Sequence, residues 1–425
     1  MRILFATISV WLLANYTLTG QNGLESLLNK YKVTTQLGFQ FTSTYTLNQS
    51  VYNSAEEMYE AVDNRLNFQL RRSRLVLKAS PFKNFNFAMV TAMDFLGRDV
   101  LSAEQAAFNN GDRPGFSFWD LKMTYKMQDS SDLFHLTFGY FTPQFGRASI
   151  TPAMAATSFE KPWSQNYVRR TLVGLGPGRT MGFNLGGQIW EEGRFLGLRY
   201  DIGIFSPIAL AYGRNSTGKR SSNLLTGKIS LSLGEPESKR YSPGHRINYY
   251  NKRRGMTLGI QGAHQGNTDL FDSNNLYGLD MLFNYDHLNI DGEWIAFRRS
   301  GTDSGGNFTA KGNVKYLRVS YNIGEDAVHM VEPVISYIKY NGPMEMTKQI
   351  QAAYVGAFAG KDTILELACR FHFSESLRFT LAYTSNSGDA GETGPGAAFN
   401  NYLSQGGVGA IQRGDLIGAS MVIIL

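Results

Sequence analysis

The sequence predicts an all-β fold: a transmembrane antiparallel β-barrel of about sixteen strands, with short periplasmic turns and long extracellular loops. Three observations carry that prediction. Charged residues make up only 18% of the 425, aromatics reach 13% and there are 45 glycines. That mixture is poor for helices and good for strands joined by tight turns. Apolar and small polar residues alternate with period two through segment after segment, as in a strand with one greasy and one wet face. The gaps between segments are alternately short and long, which an antiparallel meander produces when its two ends carry different turns. Beyond the N-terminus no run of 18 apolar residues exists, so a helical span is excluded.

Residues 1–20, "MRILFATISVWLLANYTLTG", place Arg2 before an apolar stretch and end on small and polar residues, a secretory signal peptide cut before Gln21. A short amphipathic segment, 21–32, follows, and 33–425 form the barrel. Cys369 is the only cysteine, so no intrachain disulfide is possible and no lipobox stands near the cut. Stability then falls to a large hydrogen-bonded framework. The formal charge of +6 is too small to argue for nucleic acid.

The first strand, "VTTQLGFQFTSTYTL", sets Leu37, Phe39, Phe41 and Tyr45 on one face against Gln36, Gln40, Thr42 and Thr44. Further strands are expected near 65–79, 83–96, 116–127, 133–146, 180–190, 195–206, 223–233 and 255–264. The last seven are expected near 275–285, 287–299, 313–323, 331–340, 362–373, 376–385 and 413–425. Short gaps at 80–84, 128–131, 191–194, 285–288 and 374–376 interleave with long ones. The long ones fall at 48–64, 97–115, 147–179, 207–222, 265–274, 300–312, 341–361 and 386–412. The segment 234–255 breaks the rule and reads as a basic insertion at the periplasmic end, touching anionic surroundings or the cell wall. Aromatics such as Phe85, Phe95, Trp119, Tyr125, Trp294 and Tyr321 fall on apolar faces, as headgroup belts require. The final strand sets Ile417, Ala419, Met421 and Ile423 on one face and closes the sheet edge.

"FQLRRSRLVLKAS", 68–80, is the most informative stretch. If Leu75, Leu77 and Ala79 face lipid, then Arg72, Arg74 and Lys78 face the lumen. Leu66, Phe68 and Leu70 have the opposite phase, so a bulge is expected near 71–73. An arginine facing lipid at mid-membrane costs about 2–4 kcal/mol, which drives the cations inward. With Lys122 and Lys126 of a nearby strand they would form a pore-lining basic ladder. The alternative is a solvated wall whose arginines pair with Asp94, Asp120 or Glu366.

"LRRSRLVLKASPFKNFNF", "FGYFTPQFG" (138–146) and "SFEKPW" (158–163) resemble the phosphate-selective porin O and P family of Gram-negative outer membranes, widespread in Bacteroidota. The resemblance is strongest over 65–185. Two positions depart from it: Thr142 stands where a lysine is common, which bears on phosphate selectivity, and Leu425 where an aromatic usually ends the chain. The resemblance implies a sixteen-stranded, homotrimeric channel in the outer membrane of a Gram-negative bacterium, set in outer-membrane lipid. It implies that loop 147–179 folds inward as the constriction, with Arg147, Lys161, Arg169, Arg170 and Arg179 against the single acid Glu160. An external cap or a trimer contact is the other reading of that loop.

The function expected on these grounds is passive diffusion of small solutes, with a preference for anions such as phosphate. A structural or accessory barrel that conducts little is the alternative. Enzyme chemistry finds no support: the six histidines show no metal-ligand spacing, and neither a catalytic nor a metal site nor a cofactor is expected. "GLGPG", 174–178, lacks the Lys-Ser/Thr and the helix of a phosphate-binding loop and reads as a loop exit. His372 with Glu366 and Arg370, and Asp291 with Glu293, read as wet-wall residues.

Overall fold

The computed structural model describes residues 26–99, 101, 116–174, 177–207, 218–325, 327–394, 404–405 and 409–425. The expected leader, 1–20, lies outside the described residues. β1 (Thr34–Leu47) is followed by two short strands, β2 (Ser50–Asn53) and β3 (Met58–Ala61). Then come β4 (Leu66–Ala79), β5 (Phe85–Ala92), β6 (Ser117–Lys126) and β7 (His135–Phe141). A loop carrying the helices Arg147–Ile150 and Ser164–Val173 leads to β8 (Thr180–Ile189), β9 (Leu196–Phe205) and β10 (Leu224–Gly234). The next arc is β11 (Gly255–Gln265), β12 (Ser273–Tyr285), β13 (Leu288–Asp303), β14 (Gly306–Tyr321) and β15 (Met330–Asn341). After the helix Met346–Tyr354 come β16 (Lys361–His372), β17 (Leu377–Asp389), β18 (Ser404–Gln405), β19 (Gly409–Gln412) and β20 (Asp415–Ile424).

Sixteen of these strands close into one antiparallel barrel, with β1 sealing the ring between β4 and β20. The seam runs from Gly38 opposite Ile424 to Leu47 opposite Asp415. Past it, the Leu425 amide donates to the Leu37 carbonyl at 2.8 Å. Closure leaves no strand edge to be buried unpaired in hydrocarbon. β18, β19, β2 and β3 form a separate four-stranded sheet at the long-loop end. The opposite end carries both barrel termini and most of the short turns, the arrangement of the periplasmic end in outer-membrane barrels.

The sixteen expected strands are all present, those near 255 and 331 included, as β11 and β15. Boundaries differ in places, and β17 runs on to Asp389. The gap 300–312 is no long loop: β13 and β14 continue beyond the wall and meet at Asp303 opposite Gly306. β5 ends at Ala92, and β7 ends at Phe141 because the chain turns into the lumen there. The period-two pattern persists in these stretches, but the partner strand or the loop decides where pairing stops.

Outward faces are apolar, with Leu258, Ile260, Leu279, Leu317 and Ile335 exposed. The inward face is not uniformly polar. On β11–β16 it also carries Ala263, Leu276, Ile295, Phe297, Val314, Tyr316, Ile338, Tyr340 and Ile364. These pack against Phe145, Trp163, Tyr167, Val168 and Leu172 of the inward loop, forming an apolar core inside the barrel. Alternation alone could not reveal it, because such strands are apolar on both faces.

Leu317 stands midway up the outward face of β14 and is 49% exposed to what would be lipid. Leu317→Arg is expected to cost about 2–4 kcal/mol, measured by denaturant unfolding of the barrel from lipid vesicles.

Candidate functional site

Two β-bulges shape one side of the lumen. Across β1 and β4, Gln40 faces Arg72 but Phe41 faces Leu70, so Arg71 is the extra residue. Both Arg71 and Arg72 are thereby turned inward and buried. Across β5 and β6, Val90 faces Asp120 while Thr91 faces Phe118, which leaves Trp119 extra. Trp119 was expected on the lipid face; the bulge brings it to the lumen beside Asp120. There its ring lies between two guanidiniums, Arg74 at 4.4 Å and Arg179 at 4.2 Å from the centroid. Phe95, also expected toward lipid, instead sits under Arg71 at 4.1 Å.

The loop 142–179 crosses the lumen and is stapled to the wall around most of its circumference. Glu160 receives Arg71 Nε at 2.7 Å and both terminal nitrogens of Arg72. Two guanidiniums on one carboxylate explain why burial does not neutralise it: Arg71 and Arg72 hold Glu160 below the usual carboxylate range despite desolvation. From the far wall, Arg318 donates to Ser158 Oγ at 2.8 Å, and Arg370 to the Ser158 carbonyl at 2.8 Å and the Ala156 carbonyl. Arg299 Nη2 and Asn274 Nδ2 each donate to the Thr171 carbonyl at 2.7 Å. Glu366 accepts from the Phe159 amide at 3.1 Å, and Glu293 from Ser164 Oγ at 2.8 Å. All three inward residues are engaged: His372 Nε2 bonds Glu332 at 2.9 Å while Glu366 and Arg370 hold the loop, and of the three Arg370 and His372 also line the open lumen. At Gly418 of β20 a Cβ would lie 2.6 Å from the Phe159 ring, so glycine there lets the loop lie flat on the wall.

The segment 235–254 enters from the periplasmic end. It folds into the barrel, burying Arg253, while its other basic residues, Lys239, Arg240, Arg246, Lys252 and Arg254, stay exposed. Tyr241 is 6% exposed, with its hydroxyl donating to Asp201 Oδ1 at 2.6 Å. A Cβ on Gly186 of β8 would meet that hydroxyl at 2.0 Å. Arg253 bonds Asn284 Oδ1 at 2.6 Å and Thr257 Oγ1 at 2.8 Å. The two inward segments join at Glu237, which accepts from Arg147 Nη2 at 2.7 Å and sits 2.6 Å from His245 Nδ1. Arg147 also donates to Asp280 Oδ1 of β12 at 2.9 Å and is fully buried. Burial, against the pull of Glu237, pushes the His245 imidazole down to about 4.

What remains open is a cavity of about 840 Å³ along β1 and β4–β6, reaching from Phe116 and Pro177 at the outer rim to Ser376 and Ile424 at the inner. Twelve cationic side chains line it against three carboxylates, Asp94, Asp120 and Glu375. Arg74 is paired with Asp94 through both oxygens, and Arg179 Nε donates to Asp120 Oδ1 at 3.2 Å. Lys161 and Arg169 both donate to one carbonyl, that of Ser149, at 3.2 and 2.5 Å. Burial and neighbouring guanidiniums hold Lys161 well below the ordinary lysine value and Arg169 below the arginine one.

Of the residues singled out from the sequence, the cavity brings together Arg72, Arg74, Lys78, Lys122, Lys161, Arg169, Arg170 and Arg179. Lys122 Nζ lies 3.9 Å from Asp120. Lys126 stands apart at a short turn, bonded to Asp132 at 2.7 Å, and Arg147 is a buried link between the inward segments. Sequence reasoning placed Arg370 on the inward face but missed Arg71, Trp119, Arg246 and Arg378 as lining residues. The phase break at 71–73 signalled the first; the others depend on a second bulge and on long-range folding that leave no local trace.

Two outcomes are expected. Glu160→Gln leaves two buried guanidiniums without their carboxylate, so the loop's docking should weaken by about 3–5 kcal/mol, read as faster amide exchange across 147–173. His245 has a folded pKa below its unfolded one, so the docked segment binds fewer protons than the released one. Its docking is at full strength above about pH 6.5 and weakens as pH falls toward 4. Amide exchange of 236–253 at pH 7 and pH 5 checks this, with His245→Gln losing the dependence.

Residues 43–223 match the model of the family described as phosphate-selective porin O and P. Among solved structures the chain is similar to the outer membrane channel DcaP of Acinetobacter baumannii, at 12% identity and TM-score 0.56, covering 92% of this chain and 97% of that one. It is similar to OprB of Pseudomonas putida at 11% identity and TM-score 0.58, covering 94% and 96%. OmpF of Salmonella typhi, solved with daunomycin, follows at 8% identity and TM-score 0.51, covering 93% and 99%. At these identities the likeness is one of fold. No curated protein matches the chain. The chain thus has the fold of outer-membrane porins, and its residues 43–223 match the model of the phosphate-selective porin O and P family.

Proposed function

We propose that the barrel is a passive diffusion channel for small solutes that prefers anions such as phosphate. The observation that carries this reading is the charge of the open cavity, twelve cations against three carboxylates. Fixed charge on the walls of a narrow wet passage raises the local concentration of counter-ions and lowers that of co-ions. Guanidiniums add fork-shaped donors suited to phosphate and carboxylate oxygens. In this reading Arg72, Arg74, Lys78 and Lys122 are the wall side of the path, and Lys161, Arg169, Arg170 and Arg179 the loop side. Lys126 and Arg147 contribute only to the field. Residues 1–20 act as a cleaved signal peptide, and the working form is a homotrimer, as the family resemblance suggests.

A second reading is an accessory barrel that conducts little. It is favoured by one observation, the filling of the lumen by inward segments from both ends and by the apolar core. Single-channel recording of purified protein in planar bilayers separates the two.

A KCl gradient across such a bilayer is expected to give a reversal potential of anion-selective sign; a cation-selective sign removes the proposal. Lys78→Gln with Lys122→Gln should lower the anion-to-cation permeability ratio roughly two- to fivefold, as for one or two screened charges worth about 0.5–1 kcal/mol. Neither lysine is the sole partner of a buried carboxylate, since Asp120 keeps Arg179.

A further inference from the structure

The outward face of the barrel holds a charge pattern that conduction does not use. On β13–β15 the outward positions Arg298, Lys311, Lys315 and Lys339 are cationic, the first three exposed and the last half-buried. Arg298 stands directly opposite Lys311, and Lys315 directly opposite Lys339. Like charges in facing positions of an antiparallel pair repel, so two such pairs on one patch are destabilising by themselves. Among the described residues none of the four has a carboxylate within ion-pair distance. No Asp or Glu occupies an outward position of β12–β16.

Height and location single the patch out. Trp294, directly opposite Lys315, and Tyr277 lie on the outward face beside it, as in an aromatic girdle. Tyr321 and Tyr285 mark the opposite girdle. Lys311 is ten residues from Tyr321 on β14, about 33 Å along the strand and about 25 Å in height once the strand's tilt is allowed for, which is the height of the apolar band of such barrels. Arg298 and Lys311 therefore fall at the headgroups of the outer leaflet. Lys315 and Lys339 begin lower and reach the same level by extending upward. On the described barrel strands other than β13–β16, outward positions carry no lysine or arginine. Lys361 of β16 faces Asp389 and is set aside. Among the described barrel strands the outward carboxylates are Asp389, opposite Lys361, and Asp415, bonded to Tyr383, so a second copy offers no outward row of them to match the patch.

We infer that Arg298, Lys311, Lys315 and Lys339 form a binding site for the phosphate groups of an anionic glycolipid of the outer leaflet. Phosphate oxygens between the facing pairs relieve both repulsions, while the acyl chains cover the apolar surface below, around Leu317 and Ile335. The patch faces away from the lumen, so the site stands whether or not the channel prefers anions.

The test uses the folded full-length barrel in detergent, incubated with a bisphosphorylated acylated disaccharide lipid and examined by native mass spectrometry. The comparison is with the fourfold variant R298Q/K311Q/K315Q/K339Q, whose folding is checked by heat-modifiable gel mobility. Wild type is expected to retain the lipid at least tenfold better than the variant, and better than it retains the dephosphorylated lipid. Equal retention by the variant, or of the dephosphorylated lipid, overturns the inference. Displacement of the lipid by equimolar inorganic phosphate assigns the site to soluble phosphate and overturns the lipid source. Dissociation of an oligomer in the variant, with lipid retention unchanged, assigns the patch to a second copy and overturns it too.

Discussion

A backbone amide cannot be left unpaired in hydrocarbon, and everything else in this molecule follows from meeting that requirement by closing the sheet. Once β1 is pinned between β4 and β20, each outward side chain is committed to lipid and each inward one to the lumen. Charge placed on the inward face has nowhere else to go. It can be left in water, or it can be met by something the chain sends inside. This protein does both, on different arcs of the same wall. Against β11–β16, inward carboxylates, arginines and apolar side chains are consumed by the loop 142–179 and the segment 235–254. Against β1 and β4–β6 a share of the cations stays in contact with the open cavity.

The bulges at Arg71 and Trp119 show how a regular wall acquires a specialised lining. A strict alternation delivers one inward side chain in two. An extra residue in one strand breaks that limit locally and supplies two adjacent inward side chains at one height. On β4 the pair is Arg71 and Arg72, which together hold a single loop carboxylate. On β6 it is Trp119 and Asp120, which receive the neighbouring guanidiniums by ring face and by oxygen. The flat ring of Trp119 holds Arg74 and Arg179 near one another while each keeps its own carboxylate, Asp94 and Asp120.

The wall was legible in the sequence because lipid imposes a period that residues either obey or break. Leu365 and Leu367 against Glu366, or Ile417 and Met421 against Ser420, could belong to nothing but a two-faced strand. The break in phase between Leu70 and Leu75 was equally visible, and it marked the bulge. The interior was less legible. Ile295, Val314 and Ile338 face inward onto an apolar core that no alternation announces: Ile295 has apolar neighbours, and beside Val314 and Ile338 stand Lys315 and Lys339, which a simple alternation would send inward. The role of 235–254 was hidden for another reason. Its basic composition reads as a solvated turn, whereas its burial depends on Glu237 finding Arg147, ninety positions away in the chain.

The apolar filling of one flank makes the open passage eccentric. In the proposed channel a solute has no axis of symmetry to follow; its path runs along a single shore lined by fixed guanidiniums. Such a conduit can be retuned by replacing a few residues on a quarter of the circumference. The remaining arc is left free to evolve under the separate demands of neighbours in the membrane plane.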